Sequence, residues 1–277
     1  MPFAPKLAAH GAEIPAIGFG TSGMGDVRAE HIAMALQAGY RHIDSAWKYG
    51  TERAVGVGMS ASGVPRSEIF LCTKVSHEYL HADDFARSVD ESLEKLGVDY
   101  VDLLLVHWPE KNTPLAETMG ALAKAKRQGL TRHIGVANFN IAMLDEAIRL
   151  CPEPMVTLQV ECHPYLDQSK VIAACRERGL VLTAYCPLAR GGLINEPVLA
   201  EIAKRTGKTF AQVALRWLMQ QDIIAAIPRS SNPERIAQNI DVFDFELSDD
   251  DMRRIGALKR ADGRIANPIG RAPEWDV

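Results

Sequence analysis

Four residues of this chain could together move a proton: Asp44, Tyr49, Lys74 and His107. A phenol with its pKa of about 10 holds its proton too tightly near neutrality. A nearby ammonium stabilises the phenolate and lowers that pKa. A carboxylate keeps the ammonium charged and in place, and a histidine orients an oxygen or shares the proton. Such a set fits an acid that protonates a carbonyl oxygen as hydride reaches the carbon. No side chain supplies hydride, so the chemistry needs a nicotinamide or a flavin. Taken singly, each residue has a plainer reading: a turn-forming aspartate, a solvated lysine, a hydrogen-bonded structural histidine. Their weight depends on the elements that carry them.

Those elements alternate. KLAAHGAEIP reads as two short strands turning at His10-Gly11. Ile17 to Gly20 is a short apolar strand, and Arg28 to Ala38 has helical spacing, with Ile32, Ala35 and Leu36 on one face. RHID, a helix from about Glu52, the strand IFLCTK and a helix with Phe85, Val89, Leu93 and Leu96 on one face follow. VDLLLVH is almost continuously apolar, as suits a parallel strand covered on both faces. Helix 114–128, HIGVA, helix 141–150, VTLQVE, helix 169–178 and LVLTAY continue the pattern. Helices near 195–205 and 210–220, the strand DIIAAIP and helices at about 233–240 and 249–258 complete it. The alternation predicts one (β/α)8 TIM barrel domain over residues 1–277, with an N-terminal hairpin and an extra C-terminal helix. An open doubly wound sheet is the competing arrangement.

In a barrel, polar residues at the C-terminal strand ends converge on one mouth. Asp44, Lys74 and His107 fall at such ends, and Tyr49 in the loop after Asp44. Asn138, Gln159 and Tyr185 fall at the ends of the next strands, and the last strand runs into Pro228-Arg229-Ser230. There Asn232 can cap a helix that Pro233 begins, offering backbone N–H groups to a phosphate beside Arg229 and Arg235. A second motif competes for the cofactor. GFGTSGMG at 18–25 contains Gly18-x-Gly20-x-x-Gly23, the spacing of a dinucleotide-binding loop, with an acid, Asp44, downstream. That spacing alone is a weak signal, and Asp44 has a stronger role beside Lys74.

The net charge of -4 gives no support to nucleic-acid binding. The five cysteines, Cys72, Cys151, Cys162, Cys175 and Cys186, form no CxxC pair and read as reduced thiols of a cytoplasmic protein. The N-terminus has no signal-peptide core, and runs such as LLLV are far too short to span a membrane. Cys162-His163 without further ligands makes no metal site.

The residues also match a family. GYRHIDSAWKYGTE (39–52), LCTK (71–74), LLLVHWP (103–109), IGVANFN (134–140), QVECHPY (159–165), AYCPLA (184–189) and IPRSSNPERIAQN (227–239) resemble the aldo-keto reductases. Within the family, GVPR, YVDLLLVHWP and APEWD most resemble the bacterial 2,5-diketo-D-gluconate reductases of the B type. The resemblance implies a (β/α)8 barrel that reduces aldehydes or ketones with NADPH. Tyr49 then matches the proton donor, Lys74 and Asp44 the pair that tunes it, and His107 the residue that orients the carbonyl. Asn138 and Gln159 match the groups on the nicotinamide amide, and Tyr185 the ring that stacks on nicotinamide. Cys186 and Leu188 join the cofactor-binding positions. Arg229, Ser230, Ser231, Asn232 and Arg235 surround the 2′-phosphate, with Gln238 and Asn239 near adenine.

Two positions depart from many relatives: Arg229 replaces lysine and Gln238 replaces glutamate, which leaves the degree of NADPH preference open. Cys186 stands where serine is frequent and reads as a small buried residue. Trp47 and Trp108 flank catalytic positions and are expected to wall the substrate pocket, with Trp275 of the tail as a further wall. The expected partner is a small carbonyl compound, diketogluconate or a methylglyoxal-type 2-oxo-aldehyde among them, acting on a monomer. An NADP(H)-binding regulatory protein with little turnover and a metal-dependent barrel hydrolase are the competing functions.

Overall fold

A computed structural model of the chain describes residues 4–23 and 27–276; Met24 and Gly25 of the glycine stretch fall outside them. The strands β1 (Lys6–Ala9) and β2 (Ala12–Pro15) form the expected antiparallel hairpin. His10 and Gly11 turn it with φ of 44° and 86°, the left-handed pair that suits a two-residue hairpin turn.

Eight further strands form one parallel sheet in sequence order: β3 (Phe19–Gly20), β4 (His42–Asp44), β5 (Phe70–Val75), β6 (Val101–Val106), β7 (Thr131–Ala137), β8 (Met155–Glu161), β9 (Val181–Tyr185) and β10 (Ile224–Ala226). The sheet closes on itself where the β3 segment meets β10. The Ala226 N–H donates to the Ala16 carbonyl at 2.9 Å, the Gly18 N–H to the Ala226 carbonyl at 2.8 Å, and the Gly20 N–H to the Pro228 carbonyl at 3.0 Å. The strand expected from Ile17 is regular only at Phe19–Gly20, and Ile17 contributes a single bridge to Ala226. Closure explains Gly20 of the spaced glycines. A Cβ on Gly20 would lie 2.8 Å from the Ile227 carbonyl oxygen, so only a bare backbone passes there.

The helices between strands are α1 (Ala29–Gln37), α2 (Glu52–Ser62), α3 (Ala82–Leu96), α4 (Leu115–Arg127), α5 (Ile141–Leu150) and α6 (Ser169–Glu177). Two helices, α7 (Pro197–Thr206) and α8 (Phe210–Met219), separate β9 from β10; α9 (Pro233–Ile240) follows β10 and α10 (Asp249–Gly256) is the extra C-terminal helix. On α3, Phe85, Val89, Leu93 and Leu96 are buried together, as their spacing requires, and Gly97 ends the helix at φ 67°. Apolar residues between the sheet and this helical ring form the main core. Ala9, Ala12 and Ile14 of the hairpin meet Leu103, Leu105, Val156 and Ala225 in a second cluster inside the barrel floor. This cluster makes the hairpin end of the barrel largely apolar.

Candidate active site

The period of two along a strand sends alternate residues into the barrel. Asp44 ends β4 and Lys74 lies one residue from the end of β5, and both are buried. Lys74 Nζ donates to Asp44 Oδ1 at 2.6 Å and to the Ser45 carbonyl at 2.8 Å. Burial alone would lower the Lys74 pKa, but Asp44 and the neighbouring Tyr49 and Cys72 outweigh it, and the ammonium is held above its usual value. Across the barrel, Gln159 Nε2 donates to the other oxygen, Asp44 Oδ2, at 2.8 Å.

Tyr49 lies in a short 3-10 turn, Trp47–Tyr49, that Gly50 closes at φ 67°. Its ring faces Lys74 Nζ at 5.1 Å and meets the His107 ring edge-on at 5.4 Å. Burial pushes the phenol up, while Lys74 pulls it down by charge and hydrogen bond and Asp44 pushes it up again. The sequence predicts a lowered phenol; the net direction is upward, because desolvation exceeds the pull of an ammonium that Asp44 already shares. Burial also drives His107 well below the ordinary histidine value, helped by the Lys74, His77, Arg271 and Lys48 charges. His107 is thus a neutral imidazole, able to donate one hydrogen bond.

Asn138 follows β7 at φ 62°, a left-handed conformation that Asn tolerates better than most residues. This turns its amide back over the mouth. Nδ2 donates to the His107 carbonyl at 2.9 Å, and Oδ1 accepts from the Tyr185 hydroxyl at 2.7 Å. Asn138, Gln159 and Tyr185 therefore meet beside the proton-transfer set. Cys186 and Leu188 follow Tyr185, and Cys186 takes φ 49°. Burial pushes its thiol up, with Arg190 opposing, so it is no thiolate near neutrality.

The segment after β10 has the predicted cap: Asn232 Oδ1 accepts from the Arg235 N–H at 3.0 Å, and Pro233 opens α9. Ser230 Oγ accepts from the Asn232 N–H at 3.0 Å. Pro233 has no N–H, and the Asn232 and Arg235 N–H groups already have partners in Ser230 Oγ and Asn232 Oδ1. The Arg229, Ser231 and Arg235 side chains are exposed beside this helix start. Gln238 Nε2 donates to Glu234 Oε1 at 3.1 Å, and Asn239 is buried. The glycine loop backs this segment: at φ 137°, a Cβ on Gly23 would lie 2.7 Å from the Arg229 guanidinium carbon.

Trp47 stands at the rim, with Nε1 donating to Glu91 Oε2 at 3.0 Å and its ring edge-on to Tyr79. Trp108 is buried, and Trp275 of the tail packs edge-on against it at 6.2 Å. His163 Nε2 donates to Glu161 Oε1 at 2.8 Å, and no group of three potential metal ligands occurs among the described residues. The sequence reading passed over Glu161 and Arg264. The signal for Glu161 was present: it is a charge at the end of an apolar strand, as Asp44 is. Nothing in the order of residues singles out Arg264.

The Aldo/keto reductase family profile matches residues 16–260. The methylglyoxal reductase DkgB of Escherichia coli O157:H7 is 42% identical over 267 residues, covering 95% of this chain and 99% of that protein. A crystal structure assigned provisionally as a 2,5-diketo-D-gluconic acid reductase B superposes with a TM-score of 0.96 at 45% identity, covering 99% of this chain and 98% of that one. The Bombyx mori aldo-keto reductase, solved in complex with NADP, gives a TM-score of 0.89 at 31% identity, covering 97% and 96%. The chain belongs to the aldo/keto reductase family of carbonyl-reducing oxidoreductases.

Proposed function

We propose that this protein reduces small carbonyl compounds with NADPH, 2-oxo-aldehydes of the methylglyoxal type foremost, and that Tyr49 is the proton donor. The observation that carries this reading is the buried Lys74–Asp44 pair at 2.6 Å beneath Tyr49. A proton relay of this kind has no use in a binding protein, and a lone buried pair of charges would cost stability for nothing.

The donor set fits the cofactor. Asn138 and Gln159 bring amide groups to the mouth, Tyr185 brings a ring, and Arg229 and Arg235 bring two guanidinium groups to the start of α9. NADPH, when bound, supplies the hydride. Neutral His107 donates a hydrogen bond to the substrate carbonyl oxygen and so orients it. Tyr49 gives its proton to that oxygen as negative charge develops there. Lys74 stabilises the phenolate left behind, and Asp44 keeps Lys74 charged. Asn138 and Gln159 would hold the nicotinamide amide, and Tyr185, Cys186 and Leu188 would line the site of the nicotinamide ring. Arg229, Ser230, Ser231, Asn232 and Arg235 would hold the 2′-phosphate, and Gln238 and Asn239 would take up the adenine.

The likeness to the methylglyoxal reductase supports the choice of substrate. Only six large apolar side chains are exposed among the described residues, Met34 on α1, Val57 on α2, Ile148 on α5 and Ile194, Ile265 and Ile269 in irregular segments, which supports a monomer. NADPH oxidation across methylglyoxal, 2,5-diketogluconate and aromatic aldehydes tests the reading. Turnover highest with methylglyoxal supports it, preference for another carbonyl corrects the substrate, and no NADPH consumption with any overturns it.

A further inference from the structure

Glu161 is a buried charge that the proton-transfer set does not use. It ends β8, two residues after Gln159, and has no exposed surface. Burial would push its carboxyl up, but hydrogen bonds outweigh that and hold it below the usual range. Oε1 accepts from His163 Nε2 at 2.8 Å and from the Ile265 N–H at 2.7 Å, and Oε2 accepts from the Ala266 N–H at 2.6 Å. Two of these three donors belong to the C-terminal tail. A carboxylate is suited to this task because both oxygens only accept.

What the tail carries gives the clasp its meaning. The Arg264 guanidinium lies 3.8 Å from the centre of the Trp275 ring, and Trp275 Nε1 donates to Asn267 Oδ1 at 2.9 Å. Trp275 in turn packs on Trp108, the residue after His107. Beyond it, Asp276 Oδ2 accepts from the Ile141 N–H at the start of α5, and Asn140 Nδ2 donates to the Glu274 carbonyl, both at 2.9 Å. Before the clasp, Gly263 passes so close to the barrel that a Cβ there would lie 1.9 Å from the Tyr165 carbonyl oxygen. The tail is thus fastened on both sides of Trp275, and Glu161 is the fastening that lies inside the barrel wall.

We propose that Glu161 is a positioning residue for substrate selection: by clasping the backbone of Ile265 and Ala266 it sets Trp275 against Trp108 as a wall that aromatic carbonyl substrates touch and methylglyoxal does not reach. This rests on the carbonyl-reductase reading above. Glu161 acts through the tail, so it governs the KM of large substrates and leaves the proton transfer to Tyr49.

The test compares wild type, Glu161→Gln, Trp275→Ala and the double variant with 4-nitrobenzaldehyde and with methylglyoxal. In Glu161→Gln, one acceptor becomes an NH2 that faces a tail N–H. Its KM for 4-nitrobenzaldehyde is expected to rise five- to tenfold at unchanged kcat, with methylglyoxal KM within twofold of wild type. Trp275→Ala is expected to give the same split, and the double variant no more than Trp275→Ala alone. Trypsin should also cut the tail at Arg271 faster in Glu161→Gln than in wild type. Equal losses for both substrates, no loss for either, or additive effects in the double variant would overturn the proposal. If Glu161→Gln does not fold, Ala266→Pro removes one donor from the tail side and the same split is required of it. If wild type reduces neither of these compounds nor 2,5-diketogluconate, the carbonyl-reductase reading fails, and the tryptic rate alone then decides whether Glu161 clasps the tail.

Discussion

Asp44 and Gln159 stand on β4 and β8, four strands apart in the eight-stranded barrel, yet Gln159 Nε2 donates to Asp44 Oδ2 at 2.8 Å. One carboxylate therefore ties Lys74 and Gln159 into a single buried network across the mouth. Removing Gln159 leaves Asp44 Oδ2 without this donor in a buried site, which costs about 1–3 kcal/mol. Gln159→Leu is expected to lower unfolding stability by that amount in urea titrations. It should also weaken NADPH and NADH alike, since the nicotinamide amide is common to both. Wild-type stability in the variant would show that the network carries no load.

Tyr49→Phe keeps the ring against His107 and Lys74 and removes only the hydroxyl. General acid catalysis is worth roughly 10²–10⁴-fold, so kcat for reduction should fall at least a hundredfold while NADPH affinity holds. More than a tenth of wild-type kcat, with chemistry shown to limit the rate by a deuteride isotope effect, would remove Tyr49 from its role.

The pH profile follows from the direction of each shift. Reduction needs the phenol protonated, and burial raises the Tyr49 pKa, so the reductive rate should stay flat from neutrality into the alkaline range. His107 is held neutral far below ordinary histidine, so no acid limb should appear near its usual value of about 6.5. Alcohol oxidation needs the phenolate and should rise with pH. Lys74→Met removes the cation that opposes desolvation, and its oxidation limb should move to higher pH. An unmoved limb would mean that Lys74 does not tune Tyr49. The same variant leaves Asp44 buried without its partner, and breaking a buried pair typically costs about 3–5 kcal/mol. Asp44→Asn in the Lys74→Met background should recover part of that loss without recovering activity.

The barrel and the meeting of Asp44, Tyr49, Lys74 and His107 were legible because strand ends converge by topology alone. The cap at Asn232 was legible for a similar reason: Asn before Pro is a local signal. The phenol's upward shift was not, since it depends on how much water is removed from around Tyr49. Nor was the clasp of Glu161, whose partners lie about a hundred residues downstream on a tail without periodicity. The glycine motif is ambiguous in the sequence because the same bare backbone can serve two ends. Here it permits closure against Ile227 and leaves room for the Arg229 guanidinium.

That contact between the glycine loop and Arg229 makes the location of the 2′-phosphate testable in two steps. NADPH differs from NADH by one phosphate, which Arg235 should meet at the start of α9. Hydrogen bonds to charged groups contribute about 1.5–3 kcal/mol, so Arg235→Ala should weaken NADPH by roughly 10–150-fold and leave NADH nearly unchanged. Added salt should narrow the wild-type preference, because the exposed guanidinium is partly screened. Gly20→Ala drives a Cβ toward the Ile227 carbonyl and strains barrel closure, so any loss should fall on both cofactors together. Gly23→Ala crowds the Arg229 guanidinium instead, and should reduce NADPH affinity selectively. In an Arg229→Ala background, Gly23→Ala should change the NADPH/NADH ratio no further. Fluorescence titration of both cofactors reads every arm. Equal losses of NADPH and NADH in Arg235→Ala would remove the phosphate from α9. A selective loss in Gly23→Ala that persists without Arg229 would give the glycine loop a direct part in holding it.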